Sequence, residues 1–154
     1  AMKRKLIFLL CLLLLCFASA AAAQNLEKLG STTSGDLYID KDNIQPLTHD
    51  GKLFLLVQAE LHYNEETLPK LQSLRPELRT AVEVTQIYMY NNDGTQYALL
   101  KSLYTDKDDQ VVYSVDGTPE LKPVQSRLQM LLYEKALSQL EEQKRIADML
   151  RRKY

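Results

Sequence analysis

The stretch Leu53-Phe54-Leu55-Leu56-Val57-Gln58-Ala59-Glu60-Leu61-His62-Tyr63 decides the fold. Read two at a time, Leu53, Leu55, Val57, Ala59, Leu61 and Tyr63 make one apolar row, while Phe54, Leu56, Gln58, Glu60 and His62 make a second that begins apolar and turns polar. A strand sends successive side chains to opposite faces, and a period of two held this long fits poorly with the 3.6-residue period of a helix. The segment reads as a β-strand, entered through the turn residues His49-Asp50-Gly51.

Downstream, residues 64–80 break the alternation with Pro69 and Pro76, while Leu68, Leu71, Leu74 and Leu78 recur at three- and four-residue steps. A short helical excursion is expected there. Ala81 to Tyr90 resumes the alternation, and Asn91-Asn92-Asp93-Gly94 is a tight hairpin signal because Asn and Gly accept positive φ. Thr95 to Tyr104, a turn at Thr105 to Asp109, and Gln110 to Val115 complete three antiparallel strands in a meander. Upstream, residues 24–35 read as a linker or one short strand. Asp36 to Asp40 and Asn43 to Leu47 read as a short strand and a bend against Pro46.

After Pro119 and Pro123 the pattern turns helical. From Val124 onward Leu128, Leu131, Leu132, Ala136, Leu137 and Leu140 form one stripe, which continues through Ile146, Met149 and Leu150 to Arg151-Arg152-Lys153-Tyr154. The fold class is therefore α+β: an antiparallel meander sheet of about five to six strands with a long C-terminal helix packed on it. A helix from Val124 to Arg152 runs roughly 43 Å, whereas a sheet of this size covers about four turns. Ile146, Met149 and Leu150 are expected to overhang beside Arg151 and Arg152, as candidate contacts for a partner rather than for a membrane.

The first 23 residues are set apart. Lys3-Arg4-Lys5, the apolar run Leu6 to Phe17 and the small residues Ala18 to Ala23 are the three parts of a secretory signal peptide, expected to be cleaved near Ala20 to Ala23. The apolar run is too short for a span of about 20 residues. Lipidation at Cys16 is the minor alternative, disfavoured by the bulky Leu13-Leu14-Leu15, and Ala1 before Met2 reads as an expression scar. Both cysteines, Cys11 and Cys16, lie in this segment, so the exported part must fold without disulfides. Residues 24–122 carry nine basic and sixteen acidic residues, −7, and residues 123–154 carry seven and four, +3. The division expected is a signal peptide at 1–23, a lead-in at 24–35, one domain at 36–140 and a helical extension at 141–154.

This order of motifs resembles the surface-adhesin E domain family of exported bacterial proteins. The pieces that carry it are Gly35-Asp36-Leu37-Tyr38-Ile39-Asp40, the strand Leu53 to Tyr63, the pair Val82 to Tyr90 and Tyr97 to Tyr104, the turn before Val111-Val112-Tyr113-Ser114, and the helix after Pro123. Leu29 stands where many such proteins carry Trp, and Asn91 or Asn92 where they carry Cys. The resemblance implies a sheet with a packed C-terminal helix, surface exposure, adhesion to host or matrix proteins, and a homodimer.

The residues offer little to an enzyme. Beyond residue 23 there is no Cys, only His49 and His62, and no G-x-S-x-G elbow. Phosphate-cradling glycine motifs are absent, no cofactor is expected, and the acidic body argues against nucleic acid. Asp106, Asp108 and Asp109 read as a hairpin turn, with a weak calcium site as the alternative; an EF-hand would need Gly and Glu where Val111 and Gly117 stand. The tyrosines fall in strands, where aromatics pack cross-strand neighbours, with an exposed face of Tyr88, Tyr90 and Tyr97 as the alternative. The expected function is an exported, non-enzymatic protein-binding or adhesion-type domain of the bacterial cell envelope or surface. The alternatives are a homodimerising envelope subunit and a small-ligand binder using the tyrosines. Fractionation of the producing cell is expected to place the protein in the periplasm, at the surface or in the medium. A cytoplasmic protein would overturn the export reading.

Overall fold

Six strands follow one another as an antiparallel meander in a computed structural model that describes residues 25–153. They are β1 (Leu26–Ser31), β2 (Gly35–His49), β3 (Lys52–Tyr63), β4 (Glu83–Asn91), β5 (Gln96–Thr105) and β6 (Val111–Asp116). A two-residue β7 (Lys122–Pro123) pairs with Gln96 and Tyr97, so it shares the outer edge of β5 with β6, which pairs further along. Between β3 and β4 lie α1 (Leu68–Ser73) and a 3-10 turn (Pro76–Leu78), and the chain ends in α2 (Arg127–Lys153). The signal-peptide segment and Cys16 lie outside the described residues.

Turn chemistry places the strands. Asp50 and Gly51 have φ of 51° and 71°, the two left-handed residues of a tight hairpin whose twist matches the flanking strands, and His49 pairs directly with Lys52. In the last hairpin Asp109 takes φ 59°, and the Asp106 carboxylate accepts the amides of Asp108 at 2.9 Å and Gln110 at 3.0 Å. Asp106 thus serves the backbone of its own turn.

Two expectations change in detail. Asp36 to Leu47 is not a strand and a bend but one long strand interrupted by a bulge. Ile39 pairs with Ala59 and Ile44 with Val57, so Asp40 to Asn43 face Gln58 alone. The bulge closes around the fully buried Asp40, whose carboxylate accepts from the Asp42 amide at 3.1 Å, Asn43 Nδ2 at 2.7 Å and Gln58 Nε2 at 3.4 Å. Pro46 is tolerated because β1 pairs with β2 only between Asp36 and Asp40, and leaves the outer edge beyond it without a ladder. The lead-in at 24–35 contains the short strand, and the sheet begins at Leu26.

Helix α2 starts at Arg127 rather than Val124. The Val124 amide donates to the Thr95 carbonyl at 2.9 Å, which keeps it extended, and Ser126 Oγ accepts from the Gln129 amide at 3.0 Å as an N-cap.

Both faces of the sheet carry core. On one, Leu132 and Ala136 of α2 are buried against Ile39, Ile44, Leu55, Val57, Ala59 and Tyr90. On the other, Leu47, Leu56, Ile87, Met89, Ala98 and Leu100 are buried together, with Phe54 and Leu121 against them. Leu121 belongs to the β6–β7 connector, which is pinned where the Gly117 amide donates to the Leu100 carbonyl at 2.9 Å. A third cluster, Leu71, Leu78 and Ala81, packs α1 and the 3-10 turn against Tyr63, Tyr104 and Tyr113.

Two tyrosine hydroxyls fasten α2 to the β4–β5 hairpin. Tyr90 Oη donates to the Gln129 carbonyl at 2.8 Å and Tyr133 Oη to the Asn92 carbonyl at 2.7 Å. Gly94, at φ 73°, sits under the Tyr133 ring, where a Cβ would collide with it. Leu132→Ala is expected to cost about 2–5 kcal/mol in urea unfolding, by deleting the side chain at the centre of the helix contact. Gly94→Ala is expected to cost more than about 1 kcal/mol, because it combines left-handed strain with that collision. A loss under half of either figure would mean that α2 contributes little to the core.

Candidate functional site

The free end of α2 is built by a mismatch of lengths. Leu132 and Ala136 are buried, Leu140 still packs against the cluster, and beyond it Ile146, Met149 and Leu150 are 44%, 52% and 55% exposed. Leu150 stands about five turns past Leu132 and therefore at the same azimuth, so the stripe that seats the helix continues past the sheet. Arg145 is held on this end by a bidentate pair with Glu142, at 2.6 Å and 3.1 Å, and its other amino group reaches Met149 Sδ at 3.3 Å. Arg151 and Arg152 are exposed in the last turn. Among the described residues no helix is long and apolar enough to cross a membrane.

The three tyrosines named from the sequence stand together, on the face that α2 covers. Ring centroids of Tyr88, Tyr90 and Tyr97 are 6.0–6.3 Å apart, and Tyr133 of α2 adds a ring 5.4 Å from Tyr90. Tyr90 is wholly buried and spends its hydroxyl on Gln129, so it is core and not surface. Burial pushes the Tyr88 hydroxyl up to about 12. Tyr88 and Tyr97 do line a cleft of about 380 Å³ with Leu99, Gly117, Thr118 and Gln129.

The most unusual chemistry lies on the opposite face, on the polar half of β3. His62 pairs directly across from Glu83 of β4, and Glu60 stands two residues along the same face. His62 Nε2 is 2.7 Å from Glu83 Oε2 and 3.1 Å from Glu60 Oε1, so one imidazole edge serves two carboxylates. Glu60 is only 3% exposed. The Tyr38 ring covers His62 at a centroid distance of 4.5 Å. Asp36, opposite His62 on β2, accepts from Ser31 at 2.7 Å and pairs with Lys28 at 3.3 Å, which hold it below the usual carboxylate range. Burial, then the neighbouring Glu60 carboxylate, push Glu83 up to about 7, against the opposing pull of His62.

The sequence placed Glu60 and His62 on one strand face but gave neither His62 nor Glu83 a role. The i, i+2 spacing of an acid and an imidazole was the available signal. Glu83 joins them only through the β3–β4 register, set across the α1 excursion.

A scan of the chain against protein-family models gives no match, and neither curated proteins nor solved structures match it.

Glu83 holds its proton more tightly in the folded chain than its ordinary value of 4.5 allows, so folding loses stability as pH rises from about 4.5 to about 7. The penalty is absent below that window and complete above it. Glu83→Gln is therefore expected to gain about 1–2 kcal/mol relative to the parent chain between pH 4.5 and pH 8. Urea unfolding in metal-free buffer measures it, and a difference that stays constant across the window would sink the assignment.

Proposed function

We propose that the chain is an exported, non-enzymatic protein-binding or adhesion-type domain of the bacterial cell envelope or surface, with the free end of α2 as its binding element. The observation that carries this reading is the amphipathic stripe at Ile146, Met149 and Leu150, which leaves the sheet still apolar and exposed. A helix presenting anchors at i, i+3 and i+4 fits a groove on a partner. The basic side chains of its last turn, Arg151, Arg152 and Lys153, favour an acidic one.

Export is supported by the signal-peptide pattern of residues 3–23, and adhesion by the order of strand motifs that resembles the surface-adhesin E family. The shortage of nucleophiles supports a binding role over a catalytic one.

A homodimer through α2 is the second reading. It is favoured by the charge division, −7 on residues 24–122 and +3 on residues 123–154, since a second copy would bring an acidic body to the basic helix end. The cleft beside Tyr88 and Tyr97 supports a third reading, as a small-ligand binder.

The charge-introducing pair Ile146→Glu and Leu150→Glu tests the binding element, because these side chains contribute nothing to the core. The expected outcome is an unfolding midpoint within a few degrees of the parent and loss of micromolar capture of host-matrix or envelope proteins. Absence of capture by the parent chain would sink the adhesion reading. Light scattering decides between the two assemblies: a monomer is expected, and a dimer dissolved by the same pair would establish the homodimer instead.

A further inference from the structure

We propose that Glu60, His62 and Glu83 form a binding site for a divalent transition-metal ion, with Zn²⁺ the best match. The proposal is independent of the α2 reading and stands on the opposite face of the sheet.

One imidazole nitrogen and two carboxylate oxygens lie within 4.8 Å of one another. Calcium and magnesium take mostly oxygen ligands in larger numbers, whereas an imidazole with carboxylates suits zinc and its neighbours. In a tetrahedral zinc site, metal–ligand distances near 2.0–2.2 Å place donor atoms about 3.3–3.5 Å apart. The present separations from His62 Nε2, 2.7 Å and 3.1 Å, reach that spacing by side-chain shifts of roughly half an ångström.

All three ligands stand on neighbouring strands in the middle of a six-strand ladder rather than on loops, so their backbones are set before any ion arrives. The Tyr38 ring, packed against His62, limits the tilt of the imidazole. Side-chain exposure grades from 4% at Glu60 through 15% at Glu83 to 38% at His62. That gradient gives a buried floor and an open flank, through which an ion enters and at which water fills the remaining coordination position.

The strands that hold this corner belong to residues 24–122, which carry a charge of −7. A cation is drawn to it.

The experiment uses the purified protein, stripped with EDTA and exchanged into metal-free buffer, titrated with ZnCl₂ by calorimetry and with CoCl₂ by visible absorption. One equivalent is expected to bind at micromolar Kd or tighter, with Co²⁺ ligand-field bands and a raised unfolding midpoint. His62→Ala and Glu83→Gln are each expected to weaken binding by at least about tenfold, while His49→Ala, at the far end of the β2–β3 hairpin, leaves it unchanged. Should His62→Ala fail to fold, the ring resonances of His62 in the parent chain decide the same question, since they must shift on addition of Zn²⁺. No saturable binding at about 100 µM metal, binding insensitive to His62→Ala, or unmoved His62 resonances would each overturn the site and leave the three residues as a plain ion-pair cluster.

Discussion

The middle of β3, from Leu55 to Glu60, is buried on both of its faces, and the other elements are placed by the need to cover them. A strand buried twice cannot sit at an edge or face water, so it takes β2 and β4 as ladder partners and demands a layer on each side. Leu55, Val57 and Ala59 draw α2 onto one face. Leu56, on the other, gathers Leu47, Ile87, Met89, Ala98 and Leu100, and the β6–β7 connector brings Leu121 down onto them. The second face turns polar at Gln58 and Glu60, and the sheet's other buried polar side chains are Asp40, Thr85 and Ser102.

Burial of polar groups in such a layer requires partners, and these groups have structural consequences. Asp40 gathers an amide, Asn43 and Gln58, and thereby shapes the bulge that lets a single strand run from Gly35 to His49. Glu60 and Glu83 face one imidazole, and burial with mutual proximity raises Glu83. The same sheet thus carries an apolar face for a helix and a corner whose electrostatics favour a proton or a cation. On the helix side, tyrosine serves as both packing and fastener. Tyr90 and Tyr133 pack their rings against one another and send hydroxyls to carbonyls on the opposite element.

Much of this was legible in residue order. Period two over Leu53 to Tyr63, the Asp50-Gly51 and Asn91 to Gly94 turns, and the helical stripe from Leu128 specify antiparallel neighbours and one C-terminal helix, because short turns leave the chain no other route. The overhang of Ile146, Met149 and Leu150 was also legible, since it follows from comparing helix length with sheet width. The bulge at Asp40 to Asn43 was not. A run of acids and Asn reads as a bend until its side chains are seen satisfying one another in the interior. Nor was β7, whose two residues carry no periodicity at all.

What the sequence determined by itself is local: strand or helix, turn or cap, and which residues share a face, because those follow from backbone geometry over neighbouring positions. What only the tertiary structure decided is which faces meet. Tyr88, Tyr90 and Tyr97 lie on strands whose alternation the sequence shows, yet it is α2 lying across them that makes Tyr90 core. Glu60 and His62 are grouped by alternation as well. Glu83 reaches them only because the β3–β4 register sets it opposite His62 across an excursion of nineteen residues, Asn64 to Val82, and no local rule counts register over such a gap.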